Sequence, residues 1–495
     1  MNKPIRTLSI FCLLLFLALA LNATYLQYYH ADALNNRVGN GRVATATFSR
    51  ERGAILAGRV PIAESVPTDD QYKFQRVYKK PYMYAPITGW YTFGNETGIE
   101  RADNSFLSGE DDRLFVNRLV DLVNGNATKG GNVVLTINPA AQKAAFDGLR
   151  ALGRDVQGAV VALEPSTGKI LAMVSLPTYD PNKLADHDFK KASAYASDLS
   201  KRPGQPLLNR AVQTTLPPGS TFKVVTASAA IQSGKYTSAS LVPGGPTYRL
   251  PQSTNVVHNE IQNCGGNGAK IPFMQAIEYS CNTSFAPLAV IVGASGMHRT
   301  AEGFGFDQSY LKDLPGQAVS QYPSDLDPPQ TALSGFGQGS VTSTPLQMAM
   351  VAAGIANHGV VMRPYLTDEL QSPSQEPLVP GHSEELSQAV SATTANEVTK
   401  LMVAVVQHGT ATPAAIPGVQ VAGKTGTAQS GLKNPDGTEV PPYAWFVSFA
   451  PAYAPKVAVA VMIQHVNRPT TEIAGGTLGG PIAKAVMEAV LKSHG

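Results

Sequence analysis

Cysteine is scarce in this chain, with three residues among 495. Three cysteines exclude a disulfide-dense scaffold, and the sequence has no Cys-x-x-Cys pair or Cys/His cluster of the kind that binds zinc. The nine histidines are scattered and include no His-x-x-x-His pair. We therefore expect neither a metal ion nor another cofactor.

Charge is also low, at 15% of the residues, and 39 basic against 36 acidic residues leave a net charge of +3. So small a charge does not favour nucleic-acid binding. Hydrophobic residues reach 43%, which excludes a disordered chain. The length is that of two or three domains of roughly 150 residues each.

An apolar run from Leu8 to Leu21 follows the basic residues Lys3 and Arg6. A positive flank before such a run orients the N-terminus toward the cytoplasm. Further apolar residues and tyrosines extend the run, so we expect residues 1–29 to be a cytoplasmic tip and an uncleaved, single-pass membrane anchor. A cleaved signal peptide stays open, because Ala18–Ala20 fits a cleavage site. Both readings place the rest of the chain outside the cytoplasm.

The pattern changes near residue 155. Residues 132–137 alternate like a strand, residues 139–152 are typical of an amphipathic helix, and residues 158–175 predict a hairpin. We therefore divide the external chain into an N-terminal non-catalytic domain, residues 30–154, and a second domain, residues 155–495.

The sequence of the second domain predicts helices, followed by strands and a final helix. Apolar segments at 222–231 and 272–292 are helix candidates, residues 236–270 predict an irregular excursion, and residues 371–383 predict an exposed insertion. Together with strands at 419–422, 445–450 and 456–464 and a helix at 481–492, this order indicates an α+β fold, an antiparallel sheet flanked by helices.

Ser-x-x-Lys is the first motif with chemical meaning, since on a helix it places a nucleophile and a base on one face. Four matches occur, at Ser166, Ser220, Ser309 and Ser430, and only Ser220 opens an apolar helix. There Lys223 faces the interior, where burial lowers the pKa of a lysine toward that of a useful base. An N-capping serine with a snorkelling lysine is the alternative.

Ser280-Cys281-Asn282 is the second motif, and we expect it inside the helical segment 272–292. The Ser280 hydroxyl is suited to relaying a proton and the Asn282 amide to fixing a peptide bond. Taken by itself, the pair is equally compatible with a helix-end cap.

Lys424-Thr425-Gly426-Thr427 is the third motif and follows strand-like residues. A lysine and two hydroxyls on an exposed strand would bind a terminal carboxylate, and Gly426 lets a substrate backbone approach. Residues 418–425 also match the phosphate-binding pattern GxxxxGK[ST]. That loop requires a following helix, which the sequence lacks, so we expect no nucleotide.

These three motifs in this order resemble the class B penicillin-binding proteins, closest to the short actinobacterial type. Further segments carry the resemblance over about residues 50–490: Arg52–Ile55, Pro218–Lys223, Gly337–Gly339, Thr344–Ala349 and Gly423–Gln429. The segment between Arg59 and Asn132 is short for class B, and no glycosyltransferase module fits before the second domain.

The resemblance implies the penicillin-binding transpeptidase fold, shared with serine β-lactamases. It also implies a D,D-transpeptidase in which Ser220 attacks the D-Ala-D-Ala bond of a peptidoglycan stem peptide, D-alanine leaves, and an amine of a neighbouring strand takes the acyl group. The resemblance implies that Lys223 is the base, that Ser280 relays the proton and that Asn282 binds the substrate backbone. It also implies that residues of the third motif bind the terminal carboxylate and shape the pocket, namely Lys424, Thr425, Gly426 and Thr427. The backbone N–H groups of Ser220 and Thr427 would bind the oxyanion.

The implied partners are stem peptides, β-lactam antibiotics and a membrane-embedded glycan polymerase of the shape, elongation, division and sporulation family, contacted through the anchor and residues 30–150. A class A β-lactamase is the first alternative, but its Glu-x-x-x-Asn element is absent between Asn282 and Lys424. A non-catalytic scaffold or sensor is the second, and it would not need all three motifs.

Two cysteines lie in the external, oxidising part of the chain, because Cys12 belongs to the anchor. Cys264 lies in the flexible stretch QNCGGNG, and Cys281 stands 17 residues later within the second motif. We expect a Cys264–Cys281 disulfide that tethers this motif. The alternative is a small buried Cys281 and a free Cys264 thiol.

Overall fold

A computed structural model of the chain describes residues 2–35, 45, 48–92, 95–125, 127–434 and 436–493. Its first element, α1 (Asn2–Tyr28), is followed by the short α2 (Ala31–Asn35). Residues 3–28 have a mean hydropathy of 2.2 and none of them is buried, and α1 is the one helix among the described residues long and apolar enough to cross a membrane. The apolar run therefore continues to Tyr28, beyond the Leu8–Leu21 core of the sequence pattern.

A six-stranded mixed sheet forms the N-terminal part, in the order β15-β14-β6-β1-β2-β3. Strand β1 pairs parallel to β6, and the other neighbours are antiparallel. Its strands are β1 (Ile55–Ala57), β2 (Val60–Pro67), β3 (Phe74–Tyr78), β6 (Asn132–Leu135), β14 (Thr367–Gln371) and β15 (Pro377–Pro380).

A buried ion cluster holds the start of this sheet. Glu100 is fully buried, and its two carboxylate oxygens accept from Arg52 Nε at 2.6 Å and Arg76 Nε at 2.7 Å. The pKa of the Glu100 carboxyl is lowered, because the two guanidinium groups outweigh the effect of burial, which raises it. The adjacent Gly53 has no room for a side chain, since a Cβ there would lie 1.9 Å from the Gly131 carbonyl oxygen.

The expected antiparallel sheet of the second domain is confirmed, with five strands in the order β17-β18-β19-β7-β8. The hairpin predicted at 158–175 is the pair β7 and β8. All eight residues of β18 are buried, so helices cover both faces of the sheet. The strands are β7 (Gln157–Leu163), β8 (Ile170–Leu176), β17 (Ala422–Ala428), β18 (Tyr443–Ala450) and β19 (Val457–His465).

Three helices pack on this sheet. Helix α7 (Pro139–Arg150) begins at Asn138, whose side chain accepts from the N–H groups of Ala140 and Ala141, and it packs with α17 (Gly480–Ser493). Helix α15 (Pro345–Ala356) packs on β7, β18 and β19, and all twelve of its residues are buried. Its start is a Thr344 cap followed by proline, and its residues are apolar all round, as a central helix requires.

Four segments differ from the sequence expectations. Residues 236–270, predicted to be irregular, contain short strands at Leu241–Pro243, Thr247–Arg249 and Val256–His258, and the strand predicted at 419–422 covers Ala422–Ala428 instead. The helix predicted over 272–292 is two helices, α11 (Phe273–Glu278) and α12 (Asn282–Val292), and Ser280 lies in the break between them with φ +55°. The insertion predicted at 371–383 is largely exposed, but residues 377–380 also form β15, which extends the N-terminal sheet. The second domain thus contributes two strands to the first sheet.

The remaining elements complete the connections around the two sheets. The α-helices are α3 (Pro81–Thr88), α4 (Gly98–Ala102), α5 (Asn104–Leu107), α6 (Phe115–Val123), α8 (Phe189–Lys201), α9 (Arg210–Gln213), α10 (Lys223–Gln232), α13 (Ala294–Gly303), α14 (Pro328–Ser334) and α16 (Ala392–Gln407). The short strands are β4 (Tyr91–Thr92), β5 (Asn95–Glu96), β9 (Leu241–Pro243), β10 (Thr247–Arg249), β11 (Val256–His258), β12 (Lys270–Pro272), β13 (Val360–Met362) and β16 (Glu385–Gln388). Single turns of 3₁₀ helix lie at Asp112–Leu114, Pro181–Lys183, Gly219–Phe222, Thr412–Ala414 and Thr470–Glu472, and a π-helical turn lies at Gly475–Gly479.

Candidate active site

Ser220 lies in the 3₁₀ turn that leads into α10. The preceding Gly219 has φ +54°, and its N–H donates to the Gly337 carbonyl at 3.0 Å. A Cβ on Gly219 would lie 2.8 Å from the Thr427 carbonyl oxygen, so glycine is what allows this turn to approach β17. The first motif and the third motif are therefore packed directly against each other.

Lys223 is the first residue of α10 and is fully buried. Its Nζ donates to Ser280 O at 2.6 Å, Ser280 Oγ at 3.1 Å and Asn282 Oδ1 at 2.7 Å. The pKa of the Lys223 amine lies well below its ordinary value, chiefly because of burial and also because Lys424 is close. Lys223 thus points inward, as expected, rather than reaching out to solvent.

Ser280 connects the two buried lysines. Its Oγ accepts from Lys223 Nζ at 3.1 Å and from Lys424 Nζ at 2.9 Å. Its position in a break between helices, rather than inside one as the sequence predicts, presents both its hydroxyl and its carbonyl oxygen to Lys223. A left-handed backbone at a serine is costly, and such strain tends to occur at functional sites.

Asn282 begins α12, but its side chain does not cap that helix. Its Oδ1 accepts from Lys223, and its Nδ2 donates to the His258 carbonyl at 3.0 Å. The helix-cap alternative for the second motif is therefore not what the structure contains.

The third motif lies inside β17, the edge strand of the sheet. Lys424 is fully buried, and burial lowers the pKa of its amine to about 7, although the carboxylate of Glu260 acts in the opposite direction. Thr425 Oγ1 lies 2.7 Å from Thr410 Oγ1. Thr427 is half-buried, and the other six residues of β17 are buried. Lys424 thus belongs to a continuous strand, not to a glycine-rich loop before a helix, which is the geometry that phosphate binding requires.

A cleft of about 270 Å³ opens where the three motifs meet. Ser220, Ser280 and residues 425–427 line it, together with the π-helical turn at Gly475–Thr477 and Glu260. The sequence reasoning missed the turn, Thr410 and Glu260. The Gly-Gly pair at 475–476 was the available signal for the turn, because a Cβ on Gly475 would lie 1.9 Å from the Trp445 carbonyl oxygen.

Cys264 and Cys281 form a disulfide in the structure, with Cα atoms 5.7 Å apart. Both cysteines are buried. The bond joins the irregular stretch before α11 to the residue between Ser280 and Asn282. Among the described residues, no group of three His, Cys, Asp or Glu side chains is arranged to hold a metal ion.

Sequence patterns of two known domains match the chain. The penicillin binding protein transpeptidase domain matches residues 158–488, and the penicillin binding protein A dimerisation domain matches residues 52–133. The chain belongs to the penicillin-binding protein transpeptidase family. The family assignment based on the three motifs is thereby confirmed.

Similar proteins share the whole length of this penicillin-binding protein. It is 42% identical to peptidoglycan D,D-transpeptidase PbpA of Mycolicibacterium smegmatis over 99% of both chains. It is 41% identical to peptidoglycan D,D-transpeptidase PbpA of Mycobacterium tuberculosis over 100% of both chains. The structure is similar, with a TM-score of 0.83 and 41% identity, to penicillin-binding protein A from M. tuberculosis in an imipenem acyl-enzyme complex, over 90% of this chain and 100% of that one.

Proposed function

We propose that the chain is a peptidoglycan D,D-transpeptidase that β-lactams acylate, with Ser220 as the nucleophile. The observation that carries the proposal is the bridge that Ser280 Oγ forms between two buried lysines, in the cleft that Ser220 lines. The full-length similarity to two D,D-transpeptidases, and to a relative solved as an imipenem acyl-enzyme, supports the reaction type.

Acylation begins when Ser220 Oγ attacks the carbonyl carbon of the D-Ala-D-Ala bond and its proton passes to Lys223. The proton then moves through Ser280 to the nitrogen of the leaving D-alanine, and the C–N bond breaks. The tetrahedral oxyanion is held by the backbone N–H groups of Ser220 and Thr427, whose segments pack closely together.

The protonation state of Lys223 controls this step. Its three hydrogen bonds go to Ser280 and Asn282, and among the described residues none reaches the Ser220 hydroxyl. Three donated bonds match the three N–H groups of an ammonium. A neutral amine has two N–H groups and a lone pair, so deprotonation frees one acceptor and provides the lone pair that accepts the serine proton.

The substrate is held from two sides. Lys424, Thr425 and Thr427 bind its terminal carboxylate, and Gly426 leaves space for its backbone at the edge strand. A substrate carboxylate beside Lys424 favours the protonated amine. Since the pKa of Lys424 is about 7, protonating it at neutral pH costs little free energy. Asn282 binds the substrate peptide group after exchanging its present partners, Lys223 and the His258 carbonyl.

The acyl-enzyme is long-lived toward water in this proposal. The Glu-x-x-x-Asn element with which class A β-lactamases activate water is absent between the second and third motifs, where those enzymes carry it. The amine of a second stem peptide takes the acyl group instead, which yields the cross-link. Hydrolysis of the β-lactam by this chain would be slow for the same reason.

We place the protein in the cell membrane with a single pass and the catalytic domain outside the cytoplasm. Lys3 and Arg6 precede the apolar part of α1, which is exposed along its whole length. The proposed division is an anchor at 1–29, a non-catalytic domain at 30–154 and the transpeptidase domain at 155–495. The matched patterns at 52–133 and 158–488 lie within these last two ranges.

A membrane-embedded glycan polymerase is the proposed partner, since the transpeptidase needs glycan strands made elsewhere. Helix α6 of the N-terminal domain offers a contact surface: six of its nine residues are large apolar side chains with exposures between 50% and 79%, namely Phe115, Val116, Leu119, Val120, Leu122 and Val123. If replacing the anchor with an unrelated one and deleting residues 60–125 left cellular function intact, this partnership would be wrong.

Release of D-alanine from a stem peptide tests the proposed reaction. The full chain in detergent should release D-alanine and form a cross-linked product when both donor and amine acceptor are present, and Ser220→Ala should abolish both. Ser309→Ala is the matched control, because Ser309 is the exposed first residue of another Ser-x-x-Lys match. Release that persists in Ser220→Ala would refute the assignment.

A further inference from the structure

Glu260 is the one charged side chain among the thirteen residues that line the cleft. It is exposed, and within the described parts of the chain its carboxylate takes part in no ion pair and no hydrogen bond. The proposed mechanism leaves this carboxylate without a role. An exposed carboxylate in the same cleft as the reacting serine is available to bind a cationic group of a substrate.

The backbone around Glu260 is fixed to the second motif. Asn259 exchanges three hydrogen bonds of 2.9 to 3.2 Å with Thr283, through its side chain and the N–H and hydroxyl of that threonine. The His258 carbonyl accepts from Asn282 at 3.0 Å, and the Cys264–Cys281 disulfide holds the segment on its other side. The chain is therefore fixed on both sides of Glu260, by hydrogen bonds before it and by the disulfide after it, and Glu260 has a defined position relative to Ser280.

The donor substrate provides a poor partner for this carboxylate. In the proposed function the donor carries a terminal carboxylate at Lys424, and a like charge opposite it would only repel. The acceptor, in contrast, brings an amino group that is protonated in neutral water. An ammonium and a carboxylate form a charge-assisted hydrogen bond, stronger than a neutral one.

We propose that Glu260 binds the amino group of the acceptor stem peptide and positions it for attack on the acyl-enzyme. This inference rests on the proposed function. The bound ammonium first loses a proton to solvent. Its nitrogen then forms the new C–N bond with the acyl carbon, the bond between that carbon and Ser220 Oγ breaks, and a proton from the nitrogen returns to Oγ through Lys223 and Ser280.

Glu260 has a second effect, which the test must separate from acceptor binding. Burial lowers the pKa of both Lys223 and Lys424, and the negative charge of Glu260 partly opposes that lowering. The experiment therefore measures the two half-reactions apart. The donor is a stem peptide with its amines acetylated, so that the acceptor supplies the one amine. After acylation, the acyl group partitions between water, an added amine acceptor and methanol, a neutral acceptor.

Any effect of Glu260→Gln through the two lysines should change transfer to methanol and transfer to the amine by one common factor, whereas loss of amine binding should change transfer to the amine alone. The KM for the amine acceptor should rise about tenfold, as expected for the loss of one charge-assisted hydrogen bond. Glu260→Asp should recover part of the loss. Glu376→Gln is the matched control, since Glu376 is an exposed glutamate immediately before β15 and its removal changes the net charge equally.

Three results would overturn the inference: an unchanged amine partition in Glu260→Gln, an equal loss of transfer to amine and methanol, or a substitution that slows acylation by a free-amine donor but not by the acetylated one. The last would assign Glu260 to the donor. Absence of penicillin acylation in the unsubstituted protein would instead refute the proposed function, so the two failures are distinguishable.

Discussion

Removing the positive charge of Lys424 should shift the pH dependence of acylation upward. Both lysine nitrogens bind Ser280 Oγ, at 3.1 and 2.9 Å, so they are no further apart than the total of those two distances, about 6 Å. Two unit charges at that separation repel by about 3 kcal/mol at an effective dielectric constant of about 20. The pKa of Lys424 is about 7, and the charge of its protonated amine opposes protonation of Lys223, which helps to keep the pKa of Lys223 well below its ordinary value.

Lys424→Gln removes that opposition, so Lys223 should be protonated at higher pH than in the unsubstituted protein. About 3 kcal/mol corresponds to a change of about a hundredfold in the fraction of Lys223 present as free amine, on the acidic limb of the profile. Lys424→Arg keeps a permanent charge at the site and is the matched control. The midpoint of the acidic limb of the Lys424→Arg profile should lie at the same pH as in the unsubstituted protein, or at a lower pH.

The assay is the second-order rate of acylation by a labelled penicillin, measured from acidic to alkaline pH. If the substitution weakens binding of the penicillin carboxylate, the acylation rate falls by the same factor at every pH. If it removes the positive charge beside Lys223, the midpoint of the acidic limb of the rate profile moves to another pH. The two effects are therefore separable in one data set. Equal midpoints in the Gln and Arg variants would refute the electrostatic coupling of the two lysines.

Two further predictions concern the base and the disulfide. Lys223→Arg keeps the charge but cannot act as a base at neutral pH, so acylation should fall by orders of magnitude while thermal unfolding stays cooperative, and near-normal acylation would remove Lys223 from its role. The denatured external domain should take up no alkyl group without reductant if Cys264 and Cys281 are joined, whereas two added groups would contradict the bond. Closing a loop of that size is worth roughly 3 kcal/mol in the chain-entropy model, and reduction should slow acylation without unfolding the domain.

The three motifs were predictable because each has a local context. Ser220 alone among four Ser-x-x-Lys matches opens an apolar helix, and Lys424–Thr427 follows strand-forming residues. The hairpin at 158–175 and the helix at 139–152 were also predictable, since both have strong apolar periodicity. Such features depend on neighbours close in the sequence.

Other features depend on distant parts of the chain. Apolar residues at both ends of 273–292 favour one continuous helix, whereas the structure breaks it at Ser280, whose side chain is held by lysines 57 and 144 residues away. Strand β15 exists because β14 pairs with β6, more than 230 residues earlier. Glu260 lies in a stretch whose sequence has no helical or strand periodicity. Its position in the cleft depends on the tertiary structure and is not indicated by the neighbouring residues.

Intact mass after incubation with labelled penicillin tests the central claim most directly. The unsubstituted protein should gain one penicilloyl group that persists for minutes or longer, because it has a nucleophile and a base but lacks the Glu-x-x-x-Asn element between its second and third motifs. Ser220→Ala should gain none. Labelling that survives Ser220→Ala, or rapid turnover of the drug by the unsubstituted protein, would contradict the account.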